Sequence, residues 1–167
     1  MFHSTFRRGL IVTSMLAAFA VTVATPMAAQ AQDQSSTAAV NFDAQGIALQ
    51  GFDPVAYFTL KAPTLGKATY SHTFEGATYR FSSEENLKKF KAHPAKYAPQ
   101  FGGFCAMGVV LEKKLDGDPQ AWRVVDDKLY LNVNKDIQKK WLEDVPGHIA
   151  KAGKNWPEIK NKAPKDL

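Results

Sequence analysis

Residues 53–99 read DPVAYFTLKAPTLGKATYSHTFEGATYRFSSEENLKKFKAHPAKYAP, and the order of local signals in that stretch decides the fold. Asp53-Pro54 is a helix start: the aspartate can accept from the free N–H groups of a first turn, and proline fits the first helical position. A short helix is expected over 55–60, ended by the turn residues of 63–66. Two β-like runs follow, 68–74 and 77–81, with Glu75-Gly76 as a hairpin turn between them. Tyr70, His72 and Phe74 alternate onto one face of the first run, and Tyr79 and Phe81 onto one face of the second. If those faces are the same side of the hairpin, the aromatics enter the core and His72 sits at its edge. Ser82 or Ser83 then caps a helix over 84–93, and Glu85 lies at capping-box spacing from Ser82. Leu87 and Phe90 form its apolar stripe, extended by the Lys91 stem, and Lys88 and Lys89 lie on its polar face. Pro94 ends that helix and starts a short turn through Tyr97.

Downstream the same signals recur. Residues 122–125 and 129–133 read as a second hairpin turning at Asp126-Asp127, after a loop over 115–120 that contains Gly117 and Pro119. Asn134 caps a helix from 135 to about 142, with Ile137 and Trp141 on one face, and a last helix runs from Pro146 to about Asn155. Between the hairpins, Gly102-Gly103 introduces Phe104-Cys105-Ala106-Met107, and local signals leave that segment open between loop, strand and short helix. Upstream, 40–50 is short and mixed, with one strand expected at 47–49 before Gly51. The fold class is therefore α+β: a small single domain with two β-hairpins packed by short helices.

The ends carry other information. Residues 1–31 read as an export signal: Arg7-Arg8 form a positive n-region, 10–23 is mostly apolar, and Ala29-Gln30-Ala31 is a small-x-small cleavage site. The apolar run is shorter than the roughly 20 residues of a membrane span. No stop-transfer pattern follows, so a cleaved peptide is expected, with no stable membrane anchor. Arg7-Arg8 resembles the pair of a twin-arginine signal without its polar and Phe context, so the general secretory route is the expectation. The address is periplasmic or secreted. Residues 32–39, QDQSSTAA, read as a flexible leader, 40–159 as the domain, and 160–167 as a Lys-rich, frayed tail.

Loss of Arg7 and Arg8 lowers the formal charge from +5 to +3. This mild balance, with no Lys/Arg stripe interleaved with aromatics, argues against a nucleic-acid partner. Cys105 is the lone cysteine. In an oxidising compartment no internal disulfide is possible, so its thiol is buried and inert, metal-bound, or paired with another molecule.

The chemistry-bearing candidates are few. Cys105 and Met107 share a face if 104–109 is a strand, and thiolate with thioether suits Cu(I). His72 and His93 could complete such a site, since imidazole suits Cu and Zn. No i, i+2 or i, i+4 histidine pair exists, so the set His72, His93, Cys105 and Met107 would have to assemble in tertiary structure. The competing reading for each is plain: core packing for Cys105 and Met107, a half-exposed strand position for His72, a helix C-terminus for His93. Asp53 is read as a cap in preference to a ligand, and Asp116 and Asp118 as a turn, since the EF-hand pattern is missing. His148 has no evident partner. No G-x-S-x-G, H-E-x-x-H, Walker A, G-x-G-x-x-G or C-x-x-C-H motif is present.

The succession Asp53-Pro54-Val55, then TYSHTFEGATYRF, then the helix through Tyr97 resembles the YHS domain. Residues 100–141 resemble the extension of exported, free-standing members of that family. The resemblance implies a small α+β fold and a binding function of unknown ligand; the family is usually suspected of binding a metal through cysteines. In the family pattern one cysteine follows Asp-Pro-Val and two more sit in a Phe-Cys-Ser-x-x-Cys run. Here the matching positions hold Ala56, Ser82 and Asn86.

Three readings stand open. One is an exported small binding protein that binds or handles a metal, copper first, through Cys105 with Met107 or the histidines. The second is a non-metal module whose aromatics, such as Tyr57, Tyr97, Phe101 and Phe104, line a groove for a small ligand or a protein. The third, an enzyme with Cys105 as nucleophile or redox centre, has no motif behind it.

Overall fold

The computed structural model describes Met1 and residues 33–167; the expected signal segment otherwise lies outside the described residues. In chain order the elements are α1 (Ala56–Thr59), β1 (Lys67–Phe74), β2 (Ala77–Phe81), α2 (Glu84–Ala92), α3 (Pro94–Tyr97), α4 (Ala106–Val110), β3 (Asp118–Val125), β4 (Lys128–Asn132), α5 (Lys135–Trp141) and α6 (Val145–Ile159). The strands form two antiparallel two-stranded sheets, β1 with β2 and β3 with β4. The expected α+β architecture of two hairpins packed by short helices is what the chain adopts. Among the described residues no helix is long and apolar enough to cross a membrane.

The first hairpin turns where its local chemistry directs. Glu75 and Gly76 both take left-handed conformations, φ 49° and 80°, which matches the right-handed twist of the strands they join. His72 lies opposite Tyr79 and Phe74 opposite Ala77. The two aromatic faces are thus one side of the hairpin. On that side Tyr79 and Phe81 are buried, and both rings stand 5.0 Å from the ring of Phe90 on α2. Val55, Tyr57, Leu129 and Leu131 complete this main core.

The second hairpin is longer than local signals indicate. β3 starts at Asp118 rather than near Trp122, because a register irregularity between Asp118 and Trp122 lets Pro119 enter a strand without donating to the ladder. Asp126 and Asp127 make its turn at φ 47° and 55°, a region aspartate tolerates better than most residues. β4 is buried on both faces. Leu129 and Leu131 join the main core, while Tyr130 packs with Trp141 of α5 on the other side.

Three expectations are corrected. The strand expected at 47–49 is reduced to isolated bridges, Phe42 to Ala48 and Ile47 to Thr78, because Leu49, Gln50 and Gly51 turn left-handed. Of the two expected caps of α2 it is Ser83 that serves, its side chain accepting from Asn86 N at 3.1 Å; the capping-box spacing of Ser82 and Glu85 is what is corrected, because Ser82 Oγ donates to Asp53 instead. The last helix passes Pro157 and runs to Ile159, since Ile159 is buried with Phe104, Val109 and Val110.

The segments at 33–41 and 160–167 are tied to the domain. The Lys114 ammonium, on a residue only 1% exposed, donates to Ala38 O (2.7 Å), Lys160 O (3.0 Å) and Lys162 O (2.9 Å). Lys165 N donates to Gln34 O at 3.1 Å. The leader and tail, read from composition as flexible and frayed, therefore meet on one buried cation.

Burial also sets an alkaline limit on stability. It raises the pKa of Tyr57 and Tyr79 from 10.0, and that of Cys105 from 9.0. The folded state then keeps protons that the unfolded chain releases. Stability is fully present below the unfolded values and falls as pH rises past them, by about 1.4 kcal/mol per pH unit for each tyrosine above pH 10. Lys114, lowered from 10.5 by burial, acts with the opposite sign but only up to its unfolded value. Urea midpoints measured from pH 7 to 11 are expected to hold to about pH 9 and then drop; a flat profile to pH 11 would contradict the burial of these phenols.

Candidate functional site

Asp53 is fully buried and heavily hydrogen-bonded. Its Oδ1 accepts from Val55 N (2.8 Å) and Ala56 N (3.3 Å), the capping role that the Asp-Pro pair indicates. Its Oδ2 accepts from Ser82 N (2.8 Å), Ser82 Oγ (2.7 Å) and Asn86 Nδ2 (2.6 Å). Asn86 Nδ2 also reaches Ser82 Oγ at 3.3 Å. One carboxylate thus fastens the start of α1 to the junction of β2 and α2. Every partner is a donor, as an ionised carboxylate away from water requires.

The four residues proposed as metal ligands occupy separate places. His72 stands on β1 with its ring 6.2 Å from that of Phe90. His93 is exposed and closes α2, its N donating to Lys89 O and Phe90 O, both at 3.1 Å. Cys105 is fully buried at the start of α4, where its Sγ accepts from Gly108 N at 3.3 Å and faces Asn132 Oδ1 at 3.8 Å. Met107 lies in α4, not in a strand, so it does not share a face with Cys105. Among the described residues no three His, Cys, Asp or Glu side chains gather into a group able to hold a metal ion. Burial raises the Cys105 thiol above its ordinary pKa despite the opposing hydrogen bonds from backbone. It stays protonated at neutral pH, which is poor preparation for a nucleophile.

Glycine geometry is what turned that segment into a helix. Phe101, Gly102 and Gly103 all have positive φ. A Cβ on Gly102 would lie 1.9 Å from Ala39 O, and Gly102 O accepts from Asn41 N at 2.8 Å. The chain reverses against the leader and enters α4 at Cys105.

A groove of about 670 Å³ lies between α1, α3 and the second hairpin. Its walls are two edge-to-face aromatic pairs: Tyr57 with Trp122, centroids 5.1 Å apart, and Phe58 with Tyr97, 5.3 Å apart. Tyr57 is fixed by its hydroxyl, which donates to Pro119 O at 3.0 Å. Lys61, Lys96 and Arg123 border the same groove, with Asp127 as its single acidic side chain. Lys96 Nζ lies 5.6 Å from the Tyr97 ring centroid. Of the aromatics expected to line a groove, Tyr57 and Tyr97 do. Phe101 packs instead on Tyr130 and Trp156, and Phe104 is fully buried under Lys114. Phe58 and Trp122 were not anticipated. Trp122 comes from a strand 65 positions beyond Tyr57, and no local spacing connects the two.

Residues 55–101 match the YHS domain family, the family that the 53–99 stretch resembles. No curated protein and no solved structure matches the chain. A metal at the family's thiol positions does not fit the residues present. Ala56 carries no donor atom, and Ser82 and Asn86 direct hydrogens, not lone pairs, at Asp53.

Proposed function

We propose that the chain is an exported binding module that takes a small organic anion with a flat ring in the groove between Tyr57, Phe58, Tyr97 and Trp122. The observation that carries this reading is the groove itself: the half-buried rings of Phe58, Tyr97 and Trp122 line one concavity with the buried Tyr57 ring behind Trp122, bordered by three cations and one carboxylate. Ring faces and edges supply non-specific apolar area and stacking, and the excess of positive charge selects the sign of the ligand and speeds its arrival. The pattern of residues 1–31 supports placing the module outside the cytoplasm. Copper handling through Cys105, Met107, His72 and His93 draws no support from their placement, His72 on β1, His93 at the end of α2, and Cys105 and Met107 at α4.

The test is an NMR titration of the chain with aromatic carboxylates and sulfonates beside neutral rings of the same shape. The expected result is saturable shifts clustered on 57–61, 96–97 and 122–127. Anions should bind at least about tenfold more tightly than neutral rings at low salt, with the preference shrinking as salt rises. The double charge reversal Lys61→Glu with Lys96→Glu, both exposed, should erase the preference without unfolding the domain. Shifts scattered over the surface, or an anion preference that survives the reversal, would sink the proposal.

A further inference from the structure

We infer that Asp53, with Ser82 and Asn86, does by hydrogen bonding what a metal centre would do at this place in a YHS frame, so that the domain folds and stays folded without a metal ion. This inference is independent of what the groove binds. The three positions where the resemblance puts thiols are Ala56, Ser82 and Asn86. In the structure all three converge, and they converge on the same carboxylate: Ala56 through its backbone N, Ser82 through N and Oγ, Asn86 through Nδ2. The frame has kept its meeting point and inverted its polarity. A thiolate centre is a cation enclosed by anions and lone pairs; here an anion is enclosed by N–H and O–H donors.

That inversion is incompatible with a cation at the same point. A metal ion there would face the hydrogens of Val55 N, Ala56 N and Ser82 N, whose directions are set by backbone and do not rotate away. Both Asp53 oxygens already have their partners within 3.3 Å. The mechanical result is the same as that of a metal clip. Ser82 and Asn86 are held to a residue 29 and 33 positions earlier, across the whole first hairpin, and these bonds offset in the folded state the entropy cost of closing a loop of that length.

The experiment uses the purified chain and the variant Asn86→Asp, which sets a second carboxylate against Asp53 where an amide donor now stands at 2.6 Å. Metal content is measured by mass spectrometry. Thermal melting is followed in excess chelator for divalent ions and for Cu(I), and after adding one equivalent of Zn(II) or Cu(I). The expected result is a melting temperature for the native chain that neither chelator nor metal moves. Asn86→Asp should melt well below it at pH 7 and recover as the pH is lowered and one carboxylate takes up a proton. If Asn86→Asp does not fold, Asn86→Ala serves: it removes one donor without adding charge and should melt on the order of 5 °C lower, equally with and without chelator. One retained equivalent of metal whose removal lowers the melting temperature would overturn the inference. So would variants at Asn86 that melt like the native chain.

Discussion

Asp53→Ala is expected to lower the unfolding free energy by about 3–5 kcal/mol, the scale seen when one partner of a buried charged cluster is removed. Ala leaves four donors without their acceptor: the N–H groups of Val55 and Ser82, the Ser82 hydroxyl and the Asn86 amide; Ala56 N keeps the Asp53 backbone carbonyl at 3.2 Å. Each unpaired buried donor costs about 1–3 kcal/mol. The total stays below the sum because the Ser82 hydroxyl and Asn86 amide can turn toward each other and water can enter the space. Asp53→Asn separates shape from charge. Its amide group must replace one of two oxygens that only accept, so at least one backbone donor loses its partner, and the loss should be intermediate, about 2 kcal/mol. Against a total stability of about 5–15 kcal/mol for a domain, the Ala variant is expected to be marginal. Urea unfolding of both variants measures this. If both lie within about 0.5 kcal/mol of the parent, the range of an ordinary surface change, Asp53 is not the tie described here.

Lys114→Met should cost about 2–4 kcal/mol and free the segments at 33–41 and 160–167. Hydrogen bonds from a charged donor contribute about 1.5–3 kcal/mol each in mutational series, and Lys114 donates three, to Ala38, Lys160 and Lys162. Two terms reduce the loss. Burying the ammonium carries a desolvation cost, which is what lowers its pKa, and the Met stem retains contact with the Phe104 ring, over which the ammonium sits at 4.8 Å. The three carbonyls decide the sign, because they come from irregular segments with no ladder to take over. Amide exchange is the more selective readout. It should quicken over 33–41 and 160–167 while β1, β2 and α2 keep their protection. Uniform loss of protection would show that Lys114 supports the whole core, and no change would show that the two segments hold each other without it.

These two residues also mark where reading the chain locally succeeds and where it stops. Asp53 was legible as a cap because the Asp-Pro pair and its Val55 and Ala56 partners lie within three residues. Its other oxygen was not legible, because Ser82 and Asn86 come from the far side of a hairpin. Ser82 as a cap was a reasonable local reading that tertiary demand overrode: the buried carboxylate took Ser82, and the capping role passed to Ser83. Lys114 carries no signal at all in a stretch that reads EKKLDGD; neighbouring Lys113 is exposed and Lys114 buried only because two distant segments close over it.

The structures legible along the chain are those closed by neighbouring residues. The hairpins follow from alternation and from Glu75-Gly76 and Asp126-Asp127, α2 and α5 from Ser83, Asn134 and their apolar stripes, and the likeness of residues 55–101 to the YHS domain from the 53–99 stretch. Each depends on contacts within about four residues, or across a turn two residues long, and that information is local. Tertiary structure alone decided the conformation of 101–110, where a left-handed Phe101 and a crowded Gly102 send the chain into a helix and part Cys105 from Met107. It alone gathered Tyr57, Phe58, Tyr97 and Trp122 into one groove, and it alone brought the positions of three absent thiols together on one carboxylate. The physical reason is common to all three: a buried polar group or a concave surface is completed by partners whose separation along the chain has no period, and only packing chooses them.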